Sequence, residues 1–164
     1  MNTLKKAVVV SFVLALTCLA CNNNSGPEYK ELNLLEYGFP IKLMAPDSAK
    51  VDVNDLAFMK DITVIHESSN FSIQIMVSKS SDRDETGLLT YVKKQTELNP
   101  YFSEFVLEED RGFIFKNLID SMPSFDFRYV KIKGDREYIY QTGLSTNFTE
   151  KEVRDMYESV QEPN

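Results

Sequence analysis

A chain of 164 residues with 18 basic and 25 acidic side chains, a formal net charge of −7 and two cysteines excludes several classes of protein. The acidic balance disfavours nucleic acid and anionic headgroups, both of which select basic patches. Its length suits one domain able to bury over half of its unfolded surface, and with cysteines only at positions 18 and 21 a packed core, rather than disulfides or a thiolate metal site, must supply the stability.

The N-terminal segment reads as a targeting signal. Lys5 and Lys6 precede the fourteen-residue apolar run Ala7 to Ala20, which is short of the roughly 20 residues that span a bilayer as a helix. A positive head, a short apolar run and a small final residue predict a secretory signal peptide over residues 1–20. The stretch "CLAC" ending at Cys21 resembles the lipobox of bacterial lipoproteins, where signal peptidase II cuts before a cysteine that carries diacylglycerol. The resemblance makes Leu19 and Ala20 the last two residues of the signal and Cys21 the lipidated N-terminus. It also implies residence in the bacterial cell envelope, at the outer membrane on its periplasmic or surface side. Cys18 stands where that family usually has an aliphatic residue; cleavage before Cys18 instead would put Thr17 at the cut and fits worse. Losing Lys5 and Lys6 leaves 16 basic against 25 acidic residues, a net charge of −9, so membrane attachment rests on lipid. One acyl chain anchors marginally and two or more hold firmly. The polar stretch "NNNSGPEYK" after Cys21 cannot offset the entropy of ordering by burial, and residues 21–30 read as a lipidated tether. The globular domain is expected over 31–164.

Within that domain the period of hydrophobicity is two as far as Leu144. "GFPIKLMAP" offers a first strand closed by Pro46; "DITVIHE" and "FSIQIMVS" flank a polar hairpin turn, "SSN". The period then becomes helical: Leu88, Leu89 and Val92 share a face, and Asn99-Pro100 stops the run. Four strand-like segments follow, "SEFVLEE", "RGFIFKNLI", "DFRYVKIK" and "REYIYQTGL". A two-residue turn at Gly134-Asp135 predicts that Lys133 faces Arg136, Tyr129 pairs with Tyr140, Phe127 with Thr142, and Val130 with Ile139. Apolar residues on both faces of this hairpin call for cover on both. The closing segment "NFTEKEVRDMYESVQ" predicts a helix with Thr149 and Glu152 as a capping box, Phe148 and Val153 as a staple, and an apolar stripe of Val153, Met156, Tyr157 and Val160.

These elements predict an α+β single domain: a mainly antiparallel sheet of six to seven strands, a helix between strands 3 and 4, and a C-terminal helix. The order from about Tyr37 to Val160, together with "FTEKEVRDMYESV", resembles the PsbP-like α/β/α sandwich. The position where that family often has Pro-x-Gly-Trp reads "APDSAK" here, and the chain has no tryptophan. The resemblance implies a mostly non-catalytic accessory role.

No segment makes a convincing catalytic or metal site. "SSDRDETGLLTY" places Asp82, Asp84, Thr86 and Gly87 as in the opening of a calcium loop. The twelfth position, however, is Lys93 rather than a bidentate glutamate. A phosphatase nucleophile would need a strand running straight into Asp82 within a parallel sheet. A helix start explains the segment better, with Asp82 and Glu85 as the capping pattern and Asp84 and Glu85 complementing the dipole. His66, the sole histidine, shares a strand face with Ile62 and Val64, and Glu67 points the other way. Asp47, Asp52, Asp55 and Asp61 read as a solvated connecting loop, and Glu108-Glu109-Asp110 as a hairpin tip. The candidate binding face is aromatic: Phe125, Phe127, Tyr129, Tyr138 and Tyr140 on one face of the last hairpin. It is core if a helix covers it and a binding groove if not. Phe113 and Phe115 share one face of the preceding strand, and alternation does not fix which. The expected function is a non-enzymatic, lipid-anchored envelope protein without cofactor, a protein-binding accessory or stabilising module with an envelope protein as partner. The alternative is a carrier or sensor of a small apolar ligand held between the aromatic face and a helix.

Overall fold

A computed structural model describes residues 27–81, 83–144 and 147–161. Cys21 and the signal segment lie outside them. Two short strands open the domain, β1 (Tyr29–Asn33) and β2 (Lys42–Pro46), paired antiparallel with Tyr29 opposite Pro46. Then come β3 (Lys50–Asp55), β4 (Met59–His66) and β5 (Phe71–Lys79), helix α1 (Glu85–Glu97), the strands β6 (Phe102–Glu109), β7 (Gly112–Ile119), β8 (Met122–Lys133) and β9 (Arg136–Thr142), and helix α2 (Glu150–Val160). Seven strands form one sheet in the order β3-β4-β5-β9-β8-β7-β6, antiparallel at every neighbouring pair. The chain thus leaves β5, passes through α1 to the far edge, and meanders back until β9 closes the gap beside β5.

Two layers cover the sheet. On one face α2 and the β1–β2 hairpin enclose a large cluster that includes Ile62, Ile73, Ile75, Phe127, Tyr140, Val153 and Tyr157. On the other face α1 encloses a smaller one, Leu88, Val92, Phe113, Phe115 and Val130. The α2 stripe is buried as its spacing requires, and the capping box forms: Glu152 N donates to the Thr149 hydroxyl at 3.3 Å, and Thr149 N donates to the Glu152 carboxylate at 2.8 Å.

Several expectations need correction. The strand expected over 38–46 is the shorter β2, and it pairs with β1 instead of joining the main sheet. β1 begins at Tyr29, so ordered structure reaches two residues into the stretch assigned to the tether. Of the expected acidic loop only Asp47 lies in an exposed turn; Asp52 and Asp55 belong to the edge strand β3 and Asp61 to its neighbour β4. Val51 and Val53 turn to the core while Asp52 and Asn54 face solvent. An edge strand needs only one half-buried face, and exposed carboxylates there discourage pairing with another chain. The residue capping α1 is Asp84, whose carboxylate accepts from Gly87 N at 2.8 Å, rather than Asp82, which lies outside the described residues. Glu67 sits in a short 3-10 turn, not on a strand.

The last hairpin has the expected register at Lys133–Arg136, Tyr129–Tyr140 and Val130–Ile139. The Phe127–Thr142 pair does not form. The Asp126 carboxylate takes its place, accepting from Phe127 N at 2.7 Å, Thr142 N at 3.1 Å and the Thr142 hydroxyl at 2.7 Å. A side chain thereby satisfies amides that the ladder leaves open.

The β7–β8 turn places two non-glycine residues in the left-handed region, Asp120 at φ 51° and Ser121 at φ 66°. Positive φ at both central residues is the mirror-image turn that favours Asn-Gly, because its twist matches the strands. Ser121→Gly is therefore expected to stabilise the domain by about 0.5–1 kcal/mol, read as a higher denaturant midpoint with unchanged slope. A loss of stability would mean that the serine side chain makes a contact worth more than the strain.

Candidate functional site

The five aromatic residues singled out above do share a face, and it is covered. Phe127, Tyr129, Tyr138 and Tyr140 are buried, and Phe125 packs half-buried at the margin. Tyr157 of α2 meets Phe127 and Tyr129 edge-on, with centroids 5.7 and 6.2 Å apart, and Tyr129 meets Tyr140 at 5.6 Å. Such tilted contacts suit the ring quadrupoles and leave no slot. The close seating of Tyr157 depends on Gly112, where a Cβ would lie 2.5 Å from the Arg128 carbonyl and 2.8 Å from the Tyr157 ring. The Tyr157 hydroxyl donates to Glu109 at 3.0 Å. Burial first, and then the Glu109 carboxylate, raise its pKa well above the ordinary tyrosine value. Of the two readings of this face, core beneath a helix is the one that holds, and the open groove is not formed. Phe113 and Phe115 belong to the opposite face, under α1, because Ile114 is the β7 residue aligned with Phe127.

The polar candidates have local partners. Glu85 accepts from Ile132 N at 3.0 Å and pairs with Arg111 at 3.1 Å, tying the start of α1 to β8 and the β6–β7 turn. Lys93 pairs with Glu108. Asp47 pairs with Lys30 at 3.1 Å, Asp55 with Lys60 at 2.9 Å, and Asp61 accepts from Gln74 at 2.8 Å. Among the described residues, no three histidine, cysteine or acidic side chains gather to hold a metal ion. His66 Nδ1 lies 2.7 Å from the Ser69 hydroxyl in the β4–β5 turn. A nucleophile activated in this way would also need a carboxylate to orient the ring, and the hydrogen bonds of the described residues bring none to it. Glu152, held by Asn70 at 2.8 Å, has its pKa lowered by that bond first. This anchors α2 to the β4–β5 turn rather than building chemistry.

Among the described residues a concave place of about 320 Å³ lies between Tyr29, Met44, Asp155, Glu158 and Ser159, and two others adjoin the sheet. One, of about 260 Å³, lies beside α1 between Tyr91, Gln95, Phe115, Arg128, Ile139 and Gln141, somewhat smaller than the roughly 300 Å³ at which drug-sized sites begin. Its one cation, Arg128, is already bound to Asp126 at 2.6 Å and lies over Phe115.

The second, also about 260 Å³, opens at the β3–β4 turn and is lined by Asp55, Phe58, Lys60, Ser78, Lys79 and Arg136. It stands among exposed apolar side chains. Phe58 is 83 % exposed at the tip of the turn, where Ala57 takes φ 63°, and Leu56 is 46 % exposed beside it. Arg136 connects this turn to a second exposed pair: its guanidinium donates to the Gly38 carbonyl at 3.2 Å and lies over Phe39. That brings the 3-10 turn Leu34–Tyr37, with exposed Leu35 and Tyr37, to the same end of the domain.

Comparison of the chain with protein-family models, with curated proteins and with solved structures returned no match. The cluster of Leu35, Tyr37, Leu56 and Phe58 was not anticipated from the sequence. Its one signal is "LAF" at 56–58, an apolar triplet that breaks the alternation between two charged strands.

Proposed function

We propose that this chain is a non-enzymatic, lipid-anchored protein of the bacterial cell envelope, tethered through Cys21, whose PsbP-like domain serves as a protein-binding accessory module. The observation that carries the reading is the group of exposed apolar side chains at one end, Leu35, Tyr37, Leu56 and Phe58. Clustered exposed apolar groups rimmed by charge mark contact surfaces, and Lys60, Asp55 and Arg136 supply such a rim. The alternative, a carrier of a small apolar ligand, has less support because the aromatic face it would use is filled by α2. The groove beside α1 and the hollow between Tyr29, Met44 and α2 are left to it.

A photo-crosslinking amino acid replacing Phe58 tests the reading in the intact envelope. The expected outcome is one discrete crosslinked protein, absent when the same probe replaces Lys94 on the exposed side of α1. Leu56→Ser should weaken that product by about tenfold, as for a residue at the centre of an interface. Identical products from both probe positions would overturn the assignment.

A further inference from the structure

The start of the described chain and the β7–β8 turn lie at one end of the domain, opposite the Phe58 end. β1 runs from Tyr29 toward Gly38, whose carbonyl is held by Arg136 next to the β8–β9 turn. Tyr29 sits edge-on to Phe71 at 5.8 Å. Phe71 opens β5, and the other end of that strand pairs Lys79 with Arg136. Tyr29 is thus at the end remote from the β8–β9 turn. β8 reaches the same end with its first residues, since β9 and β7 both run against it.

Here β8 overruns its neighbour. Met122, Pro123 and Ser124 pair only with β7, so the β7–β8 turn projects as a two-stranded tip. Leu118, Ile119 and Met122 are all exposed on that tip, Met122 by 63 %. Because Leu118 and Ile119 are consecutive, both faces of the tip are apolar. Leu118 N donates to the Tyr101 carbonyl at 2.8 Å, bringing exposed Tyr101 and Leu98 alongside. Leu144, 87 % exposed, follows the end of β9. A solvated tip has no use for this composition, which suits a surface apolar at depth and wet at its edge.

The length of chain preceding the domain identifies that surface. Eight residues run from Cys21 to Tyr29, spanning at most about 28 Å when fully extended. With Cys21 acylated, the end that begins at Tyr29 is kept within about 28 Å of the bilayer. We propose that the β7–β8 tip, with Tyr101, Leu98 and Leu144 beside it, rests in the headgroup–acyl boundary of the membrane that holds the lipid anchor. This inference depends on the lipid-anchor reading above. The domain then stands with Leu56 and Phe58 directed away from the bilayer, toward a partner. The net charge of −9 after signal removal makes zwitterionic lipid sufficient and anionic lipid no help.

The chain has no tryptophan, so single introduced tryptophans report position. The lipidated full chain carrying Met122→Trp, Leu144→Trp or Phe58→Trp would be placed in phosphatidylcholine vesicles containing a brominated phosphatidylcholine. The expected result is a blue shift and about twofold quenching at 122 and 144, with emission at 58 unchanged, as for insertion at the boundary. Vesicle-bound protein with no quenching at 122 and 144, or with equal quenching at all three, would overturn the proposal while leaving the anchor intact. Protein that fails to bind vesicles would overturn the anchor itself and the proposal with it. A blue shift at 122 in the unlipidated Cys21→Ala protein without lipid, together with dimers in sedimentation, would assign the tip to a second copy and also overturn it.

Discussion

Tyr157→Ala is expected to remove about 3–5 kcal/mol of folding stability, the usual cost of deleting a large buried aromatic. The ring is almost fully buried and meets Phe127 and Tyr129 edge-on, so its loss empties the centre of the α2 interface. Tyr157→Phe keeps the ring and should cost only about 1 kcal/mol, the worth of one hydrogen bond, since Gln161 still reaches Glu109 at 2.9 Å. Gly112→Ala should cost about 2–3 kcal/mol by overpacking. Its Cβ would meet the Arg128 carbonyl at 2.5 Å, and a backbone oxygen cannot rotate away. Combined with Tyr157→Ala, the glycine substitution should cost less than it does alone, because one of its two clashes has gone. Denaturant unfolding of the four proteins gives the coupling. Strictly additive losses would mean that α2 is not seated on Gly112, and a Tyr157→Ala cost below about 1 kcal/mol would contradict a core role for the ring.

Replacing residues 1–21 by the cleavable signal of a non-lipidated secreted protein, which removes Cys21 together with the apolar run Ala7–Ala20, is expected to move the protein entirely from the membrane to the soluble fraction. Each buried methylene of an acyl chain contributes about 0.8 kcal/mol, so two or three chains hold against dilution and their removal leaves no comparable attachment. The β7–β8 tip offers only a few side chains to the boundary, and no helix among the described residues is long and apolar enough to cross a membrane. The thermal transition of the domain should not change, because the first strand of the described fold begins at Tyr29, eight residues beyond Cys21. Persistence of the variant in carbonate-washed membranes would sink the lipobox reading.

The chemistry that was legible in the sequence is mostly that of repetition. The β8–β9 register followed from a two-residue turn, and the α2 cap from Thr149 and Glu152, because both depend on residues near in sequence. Where distant residues decide, the reading failed. The Asp126 side chain displaces a ladder pair by reaching Thr142, which no local pattern records. β3 escaped notice because an edge strand shows half the hydrophobic signal of a central one, and its two valines lie among acids. The candidate site suffered the same limit in reverse. A stripe of five aromatics could be counted, but whether α2 covers it depends on Gly112 and Tyr157, 45 positions apart in the chain. The exposed ends bring together turns distant in sequence: the Arg136–Gly38 bond puts the turn of Leu35 at the same end as Phe58, and the Leu118–Tyr101 bond sets Tyr101 beside the β7–β8 turn.

The claim that this is a lipid-anchored, protein-binding module is tested most directly by a native mass spectrum of the protein purified gently from its host envelope. The expected spectrum contains the acylated chain in stoichiometric complex with a second protein, and the complex disappears in Phe58→Ser. A retained adduct of a few hundred daltons with no protein partner, unaffected by Phe58→Ser, would contradict the binding role and favour the carrier of a small apolar ligand.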